Sequence, residues 1–543
     1  MQNFQYRYNL FLEHSGFEYQ SHQEEGMLWC AQQESEKKPF QNIHGGIIAD
    51  EMGCGKTFMM ISLIVCNFVP QTLIVAPLAL VNQWKQSIFE TTGHEALVYY
   101  GHKIKTSQER LHTAPIVITT YGVVSHKSDK NDELFRINWD RVIYDEAHHM
   151  RSRNTKKHVS GKKLLSNTKW LVTGTPIQNA VKDLYALCEI IGIKDPKRLE
   201  PDELHQILLK RSKEEAGIQL PPVIIHEVSI PWANEEEKTV ATILHKFTKP
   251  SESNECDENS HKSVHKKSLS SESDDKGGCG NKNDCIDDDV TPMKSVPTYC
   301  QLAESKSVST PIMQVQKQES MLPQELKKDV SLKLKGFIHN ILGKHYLSYY
   351  LRSRQMCVCP KLLSKLESNF YKSELHDPSI ISNAFANQNK IKEVVSLLSN
   401  RISNGNKKIV FCSFRKEMDI LKQELNDVGV NDVAIYDGRM TRKQRSDILR
   451  RRPDVLILQI QMGCEGLNLQ YANEVYFVGP LWNPATEDQA VARCYRLGQK
   501  KPTHVYKFRM KDIDRENDVF SMDNYMEEKM RNKKELRTIL EVC

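Results

Sequence analysis

The 543 residues contain no apolar run long enough to span a membrane, which takes about 20 residues as a helix. The N-terminus also lacks the basic-then-apolar pattern of a signal peptide. No membrane partner is expected. Fourteen cysteines are present but form no framework; several stand inside apolar segments, as Cys66, Cys188 and Cys412 do. That usage suits reduced thiols in an intracellular setting. A zinc finger built from paired Cys-x-x-Cys units is missing too, because the middle of the chain offers only Cys256, Cys279, Cys285 and Cys300 at irregular spacing. No structural zinc is therefore expected. The net charge of +6 is too small for a polycation, so any nucleic acid would have to be met by a local basic channel. Residues 248–298 lack aromatics and have few aliphatics. Such a stretch cannot bury enough apolar area to offset its ordering, which predicts a disordered or mobile insertion. Within it, Ser270 to Asp275 sets serines beside acids, a candidate for phosphorylation.

What is present is a candidate nucleotide site in two distant pieces. The apolar run Gly46-Ile47-Ile48-Ala49 leads into Asp50-Glu51-Met52-Gly53-Cys54-Gly55-Lys56-Thr57, and Phe58 to Ile64 reads as a helix start. Glycines let the backbone curl so that successive N–H groups face a phosphate, and the new helix adds its positive end. Lys56 would reach the β- and γ-phosphates, and the Thr57 hydroxyl would ligate Mg²⁺. Asp50 stands where the usual pattern begins with glycine. Alone, the turn also reads as a simple strand cap. Further on, Val142-Ile143-Tyr144 has the form of a buried parallel strand, with Asp145 and Glu146 at its end, where open α/β sheets bind ligands. Asp145 suits Mg²⁺ held through water, and Glu146 suits orienting or deprotonating an attacking water.

The other piece is Asp488 to Gln499. A helix there would set Gln489, Arg493 and Arg496 at i, i+4 and i+7 on one face. An exposed basic stripe is the plain reading. Arginine fingers that meet the γ-phosphate when the two pieces close is the reading the rest of the chain favours.

With these segments the chain resembles the Swi/Snf-type ATPases of helicase superfamily two, almost end to end. His22 to Trp29 resembles the family's adenine-sensing glutamine motif, with Gln23 as the glutamine, and the phosphate loop is similar from Asp50 through Glu51, Met52, Gly53, Cys54 and Gly55 to Thr57. Leu73 to Trp84 and Val117 to Gly122 resemble motifs that grip a nucleic-acid strand; Leu171 to Asn179 resembles the coupling motif. Leu208 to Pro222 resembles the basic element that in the family precedes the crossing between lobes. Then Lys408 to Phe414, Tyr436 to Arg445, Gln459 to Gln470 and Leu481 to Pro484 follow in the family's order, with the arginine segment last. Departures are Gln459, Met462 and Cys464 in the fifth motif, and Ala147 where many remodellers have glycine. The resemblance places Cys357-Val358-Cys359-Pro360 at a structural position, not a metal or redox site.

The resemblance implies an α/β fold of two tandem RecA-like lobes, parallel sheets wrapped by helices, with helical protrusions and the insertion between them. It also implies ATP and Mg²⁺ in the cleft and DNA-dependent ATP hydrolysis coupled to translocation on duplex DNA. Thr119 and Thr120 suit phosphate contacts that position a backbone without reading bases. Trp482 is a candidate for wedging or packing against DNA, and Asn468 for coupling DNA to the ATP site. The expected domains are an ATP-binding lobe over 1–225, a helical connection over 226–247, the insertion over 248–324, helices over 325–388, a second lobe over 389–512 and a packed helix over 513–543. A nuclear setting follows, with nucleosomes or transcription and repair proteins as partners. The compact form resembles viral members such as the baculovirus-type global transactivators. A strand-separating DNA or RNA helicase, or a non-enzymatic transcriptional regulator, are the alternatives.

Overall fold

Short runs rich in branched aliphatics, such as Thr72-Leu73-Ile74-Val75-Ala76 and Lys408-Ile409-Val410-Phe411-Cys412, are buried along their whole length. That burial is expected of strands covered on both faces. The computed structural model describes residues 2–37, 39–101, 104, 107–126, 133–246, 338, 346–363, 378–463, 466–514 and 519–542. The insertion expected over 248–324, with its serine-acid stretch, and Cys464 lie outside these residues.

The first sheet comprises β1 (Gly45–Ile48), β2 (Thr72–Ala76), β3 (Leu97–Val98), β4 (Ile116–Thr120), β5 (Trp139–Asp145), β6 (Ser166–Val172) and β7 (Leu208–Leu209), in the order β3-β4-β2-β5-β6-β1-β7. The second comprises β8 (Val223–Ile230), β9 (Lys408–Cys412), β10 (Val433–Tyr436), β11 (Val455–Gln459), β12 (Glu474–Phe477) and β13 (Thr503–Met510), in the order β10-β11-β9-β12-β13-β8. Among the described residues every pairing between these strands is parallel. Helices cover both faces, giving two core layers per sheet. This is the two-lobed α/β architecture expected.

Register explains how distant residues meet. Ile48 pairs with Val172, and Val172 pairs with Asp145, so the ends of β1 and β5 lie level with one strand between them. At about 4.8 Å per strand, the loop that follows β1 starts roughly 10 Å from Asp145.

One expectation needs correction. Residues 226–247 are not simply a helical connection: Val223 to Ile230 is an edge strand of the second sheet, paired with β13 from Thr503 to Met510, and only Glu235–Lys246 is helical. Its alternating half-exposed pattern marks an edge strand, and Pro221-Pro222 precedes it. Within the described part of 325–388 lie the helices Tyr346–Val358 and Pro378–Ala386 and the short helical turn Pro360–Leu363. The C-terminal helix runs Met522–Val542 and buries Met522, Met526 and Met530. A buried ion pair between Lys390 and Asp523 fixes it to the second lobe, where Asp523 also accepts from the Met510 N–H at 2.9 Å. Cys357 and Cys359 are buried in the core of that lobe.

Candidate nucleotide-binding and catalytic site

After β1 the chain turns through Gly53 (φ 96°) and Gly55 (φ 81°), and a helix starts at Lys56. Both glycines adopt a left-handed backbone that side chains resist. At Gly55 a Cβ would also lie 2.2 Å from the Gln23 amide nitrogen, so a larger residue would have to displace that side chain. The Cys54 carbonyl accepts from His22 Nε2 at 2.9 Å and from Gln23 Nε2 at 3.4 Å. Gln23 thus braces the loop from behind and is not part of the cleft lining. Cys54 itself is buried, and burial pushes its thiol up to about 11.

Asp50 and Glu51 turn away from the cleft. Arg211 clasps Asp50 with two bonds, of 3.2 and 2.7 Å, and Lys213 meets Glu51 through its main-chain N–H at 2.9 Å and its ammonium at 2.5 Å. The basic element after β7 therefore locks the loop, a role for Arg211 and Lys213 that spacing alone did not signal. The carbonyls of Asp50 and Glu51 hold the Lys56 ammonium at 2.6 and 3.0 Å. Burial lowers the Lys56 pKa, against the pull of nearby acids.

Met52, Gly53, Gly55, Lys56, Thr57, Asp145, Glu146, Arg493 and Arg496 line one cleft of about 290 Å³. Burial, then the charge of Glu146, raises the Asp145 pKa. Trp84, itself buried, donates its indole N–H to the Asp145 carboxylate at 2.6 Å. Glu146 takes a left-handed backbone (φ 50°), the kind of local strain that collects at working positions. Burial pulls its pKa up, but the His148 hydrogen bond, then the charges of His148, Arg493 and Lys56, outweigh it and hold the carboxyl low. His148 Nδ1 lies 3.3 Å from both Glu146 and the Thr173 hydroxyl, joining the carboxylate to the loop after β6. Trp84 sits in a segment read only as a strand-gripping motif, so its tie to Asp145 escaped notice. Phe17, 47 % exposed at the cleft and 4.8 Å from the Phe58 ring, escaped for lack of any motif.

The second lobe reaches across. Arg493 stands 3.9 Å from Glu146, and Arg496 Cβ lies 3.4 Å from where a Cβ on Gly53 would be. The continuous helix expected here does not form. It spans Pro484–Val491, and Arg493 and Arg496 follow in turns. The Arg493 carbonyl accepts from the Leu469 N–H at 3.1 Å, which ties this stretch to the segment before β12. Both arginines still enter the cleft, whereas Gln489, on the helix, is buried outside it. Burial, then the charge of Arg493, lowers the pKa of Arg496.

The nucleic-acid candidates scatter. Thr119 is fully buried and its hydroxyl donates to the Tyr99 carbonyl at 2.8 Å, a core position that does not face a strand. Thr120 is nearly buried and accepts from the Val123 N–H at 3.3 Å. Trp482 is half-buried among Tyr350, Tyr525 and the Lys533 ammonium, so it packs the edge of the second lobe. Asn468 is exposed, away from the cleft.

A buried Asp145 beside a half-buried Glu146, a glycine loop opening a helix, and arginines from a second parallel lobe in the same cleft are the parts of a two-lobed, helicase-like ATPase. Comparison with known proteins agrees. Residues 22–201 match the SNF2-related domain, and residues 389–498 match the helicase conserved C-terminal domain. The chain is similar to "DNA repair protein RAD5B" of Arabidopsis thaliana, 25 % identical over 87 % of this chain and 44 % of that protein. It is similar to "Transcription termination factor 2" of Drosophila melanogaster, 25 % identical over 90 % of this chain and 54 % of that protein. The chain thus spans about half the length of the curated relatives it matches. The solved SWI2/SNF2 ATPase core of Sulfolobus solfataricus in complex with dsDNA aligns over 96 % of both chains at 18 % identity, with a TM-score of 0.35, too low to argue from. This chain belongs to the SNF2-related, Swi/Snf-type ATPases of the helicase-like class. Among the described residues no helix is long and apolar enough to cross a membrane.

Proposed function

We propose that the chain hydrolyses ATP in a DNA-dependent way and uses it to translocate along duplex DNA, displacing or remodelling bound proteins. The observation that carries this is the meeting of Glu146 from one lobe with Arg493 from the other at 3.9 Å, in the cleft that also holds Lys56. A site shared by two lobes can convert nucleotide turnover into relative motion of those lobes. Lys56 leaves the Asp50 and Glu51 carbonyls to reach the β- and γ-phosphates. Glu146 orients the attacking water and takes its proton. Arg493 and Arg496 offset the charge that builds in the transition state. The buried Asp145 carboxylate, the adjacent half-buried Glu146 and Thr57 line the same cleft, a donor set that fits a divalent cation; Thr57 and Asp145 would hold Mg²⁺, which neutralises phosphate charge. The Trp84 hydrogen bond keeps Asp145 oriented for that task.

Duplex DNA as the track, and repair or transcription in the nucleus (a host nucleus, for a viral chain) as the setting, follow from the family resemblance and from relatives named for those processes. The test measures phosphate release with no nucleic acid, duplex DNA, single-stranded DNA, RNA and nucleosomes, beside triplex-displacement and strand-release assays. Stimulation by duplex DNA and triplex displacement without strand release are expected. Strand release would favour a strand-separating helicase, and hydrolysis equal in wild type and Lys56→Ala would remove the enzyme reading.

A further inference from the structure

On the second lobe, at the edge where β9, β12 and β13 begin, a recess of about 420 Å³ opens away from the ATP cleft. Its lining includes Lys407, Arg452, Lys500 and Lys501 and no carboxylate. Two of these cations have partners at the rim, Lys407 with Asp454 at 2.7 Å and Lys501 with the Asn406 side chain at 3.2 Å. Among the described residues Arg452 and Lys500 have no ion-pair partner; the Arg452 guanidinium lies over the Tyr471 ring at 5.5 Å from its centroid. The Tyr471 hydroxyl is buried in the wall without a hydrogen-bond partner among the described residues. That hydroxyl is enclosed by the wall, so what the recess offers an anion is the Arg452 and Lys500 cations and the amides of Asn468 and Gln470.

The backbone points the same way. Arg452 follows the helix Arg442–Arg451 in a left-handed conformation, φ 53°, a position that favours glycine. Keeping a long cation there goes against the local backbone preference, and its guanidinium faces the recess. Gly498, at φ 92°, shapes the opposite wall, since a Cβ there would lie 2.2 Å from the Gln470 amide. Exposed Asn468, assigned by sequence to nucleic-acid contact, lines the same recess.

We propose that this recess is a second phosphate-binding site, distinct from the phosphate loop, that takes a phosphate group of a nucleic-acid backbone or of a small polyphosphate. Fork-shaped and point-charge donors beside amide groups suit phosphate oxygens and read no base. The site goes beyond the motor reading, because a small polyphosphate could occupy it whatever the track.

The full-length chain with Arg452→Gly and Lys500→Gln tests it. Glycine suits φ 53°, so the fold is preserved while the cation is removed. Tyr471→Phe, which deletes only the unpaired hydroxyl, is a second variant. DNA-free ATPase and thermal unfolding are expected to match the parent. Binding of a 30-base-pair duplex is followed against salt, and binding of inorganic pyrophosphate by calorimetry in a Lys56→Ala background. If the backbone of nucleic acid is the source, the double variant weakens duplex binding about tenfold and lowers the salt slope by about two. If a small polyphosphate is the source, pyrophosphate binding falls at least fivefold while duplex binding is unchanged. Parent-like duplex and pyrophosphate binding in both variants would overturn the proposal.

Discussion

The two lobes hold their contributions to the cleft in opposite ways. In the first, nearly every group is fixed from behind: Asp145 by Trp84, Glu146 by His148, Asp50 by Arg211, Glu51 by Lys213, and the Cys54 carbonyl by His22 and Gln23. In the second, Arg493 and Arg496 stand in turns beyond a helix end, with the Arg493 carbonyl tied to the Leu469 N–H. The first lobe is a preorganised receptor. The second delivers its arginines from turns beyond the end of a helix. Pre-set donors cost nothing at the moment of reaction, whereas groups that arrive late can make hydrolysis conditional.

That contrast can be broken in graded steps. Glu146→Gln is expected to cut hydrolysis by about 10³-fold while ATP still binds, because it removes the base from the fixed half; steady-state phosphate release beside equilibrium nucleotide binding checks this. Lys390→Met leaves Asp523 buried without its partner, and urea unfolding should show a loss of about 3 kcal/mol, with the second lobe affected first. Trp84→Phe keeps the packing but removes the indole N–H; roughly tenfold more Mg²⁺ for half-maximal activity is expected, since one hydrogen bond to a carboxylate is lost. A Mg²⁺ titration reads it. Least affected is Arg452→Gly, for which relief of the left-handed backbone and loss of the Tyr471 contact nearly cancel, leaving unfolding within about 0.5 kcal/mol of the parent.

The same contrast explains what could be read from sequence. Strand-turn-helix at Gly46 to Ile64 and the strand ending in Asp145 are local patterns, so the fold and the fixed half were legible. Arg493 and Arg496 were legible as residue types, but their backbone was not, because the helix stops at Val491 with no glycine or proline there to announce it. Likewise β8 was missed as a strand because its partner β13 lies 280 residues on, at a register of Val223 to Thr503. Thr119 looked like a surface contact, yet parallel strands bury both faces and its hydroxyl found the Tyr99 carbonyl. Trp84 and Phe17 reach the cleft only through folding, and nothing in their neighbours announced it.

The central claim is that guanidinium groups of the second lobe complete a site built by the first. Arg493→Ala tests it most directly, with DNA-stimulated turnover and nucleotide affinity measured on the same protein. Turnover lost by about 10³-fold, with affinity within a few-fold of wild type, is the predicted result. Wild-type turnover in that variant would contradict the account.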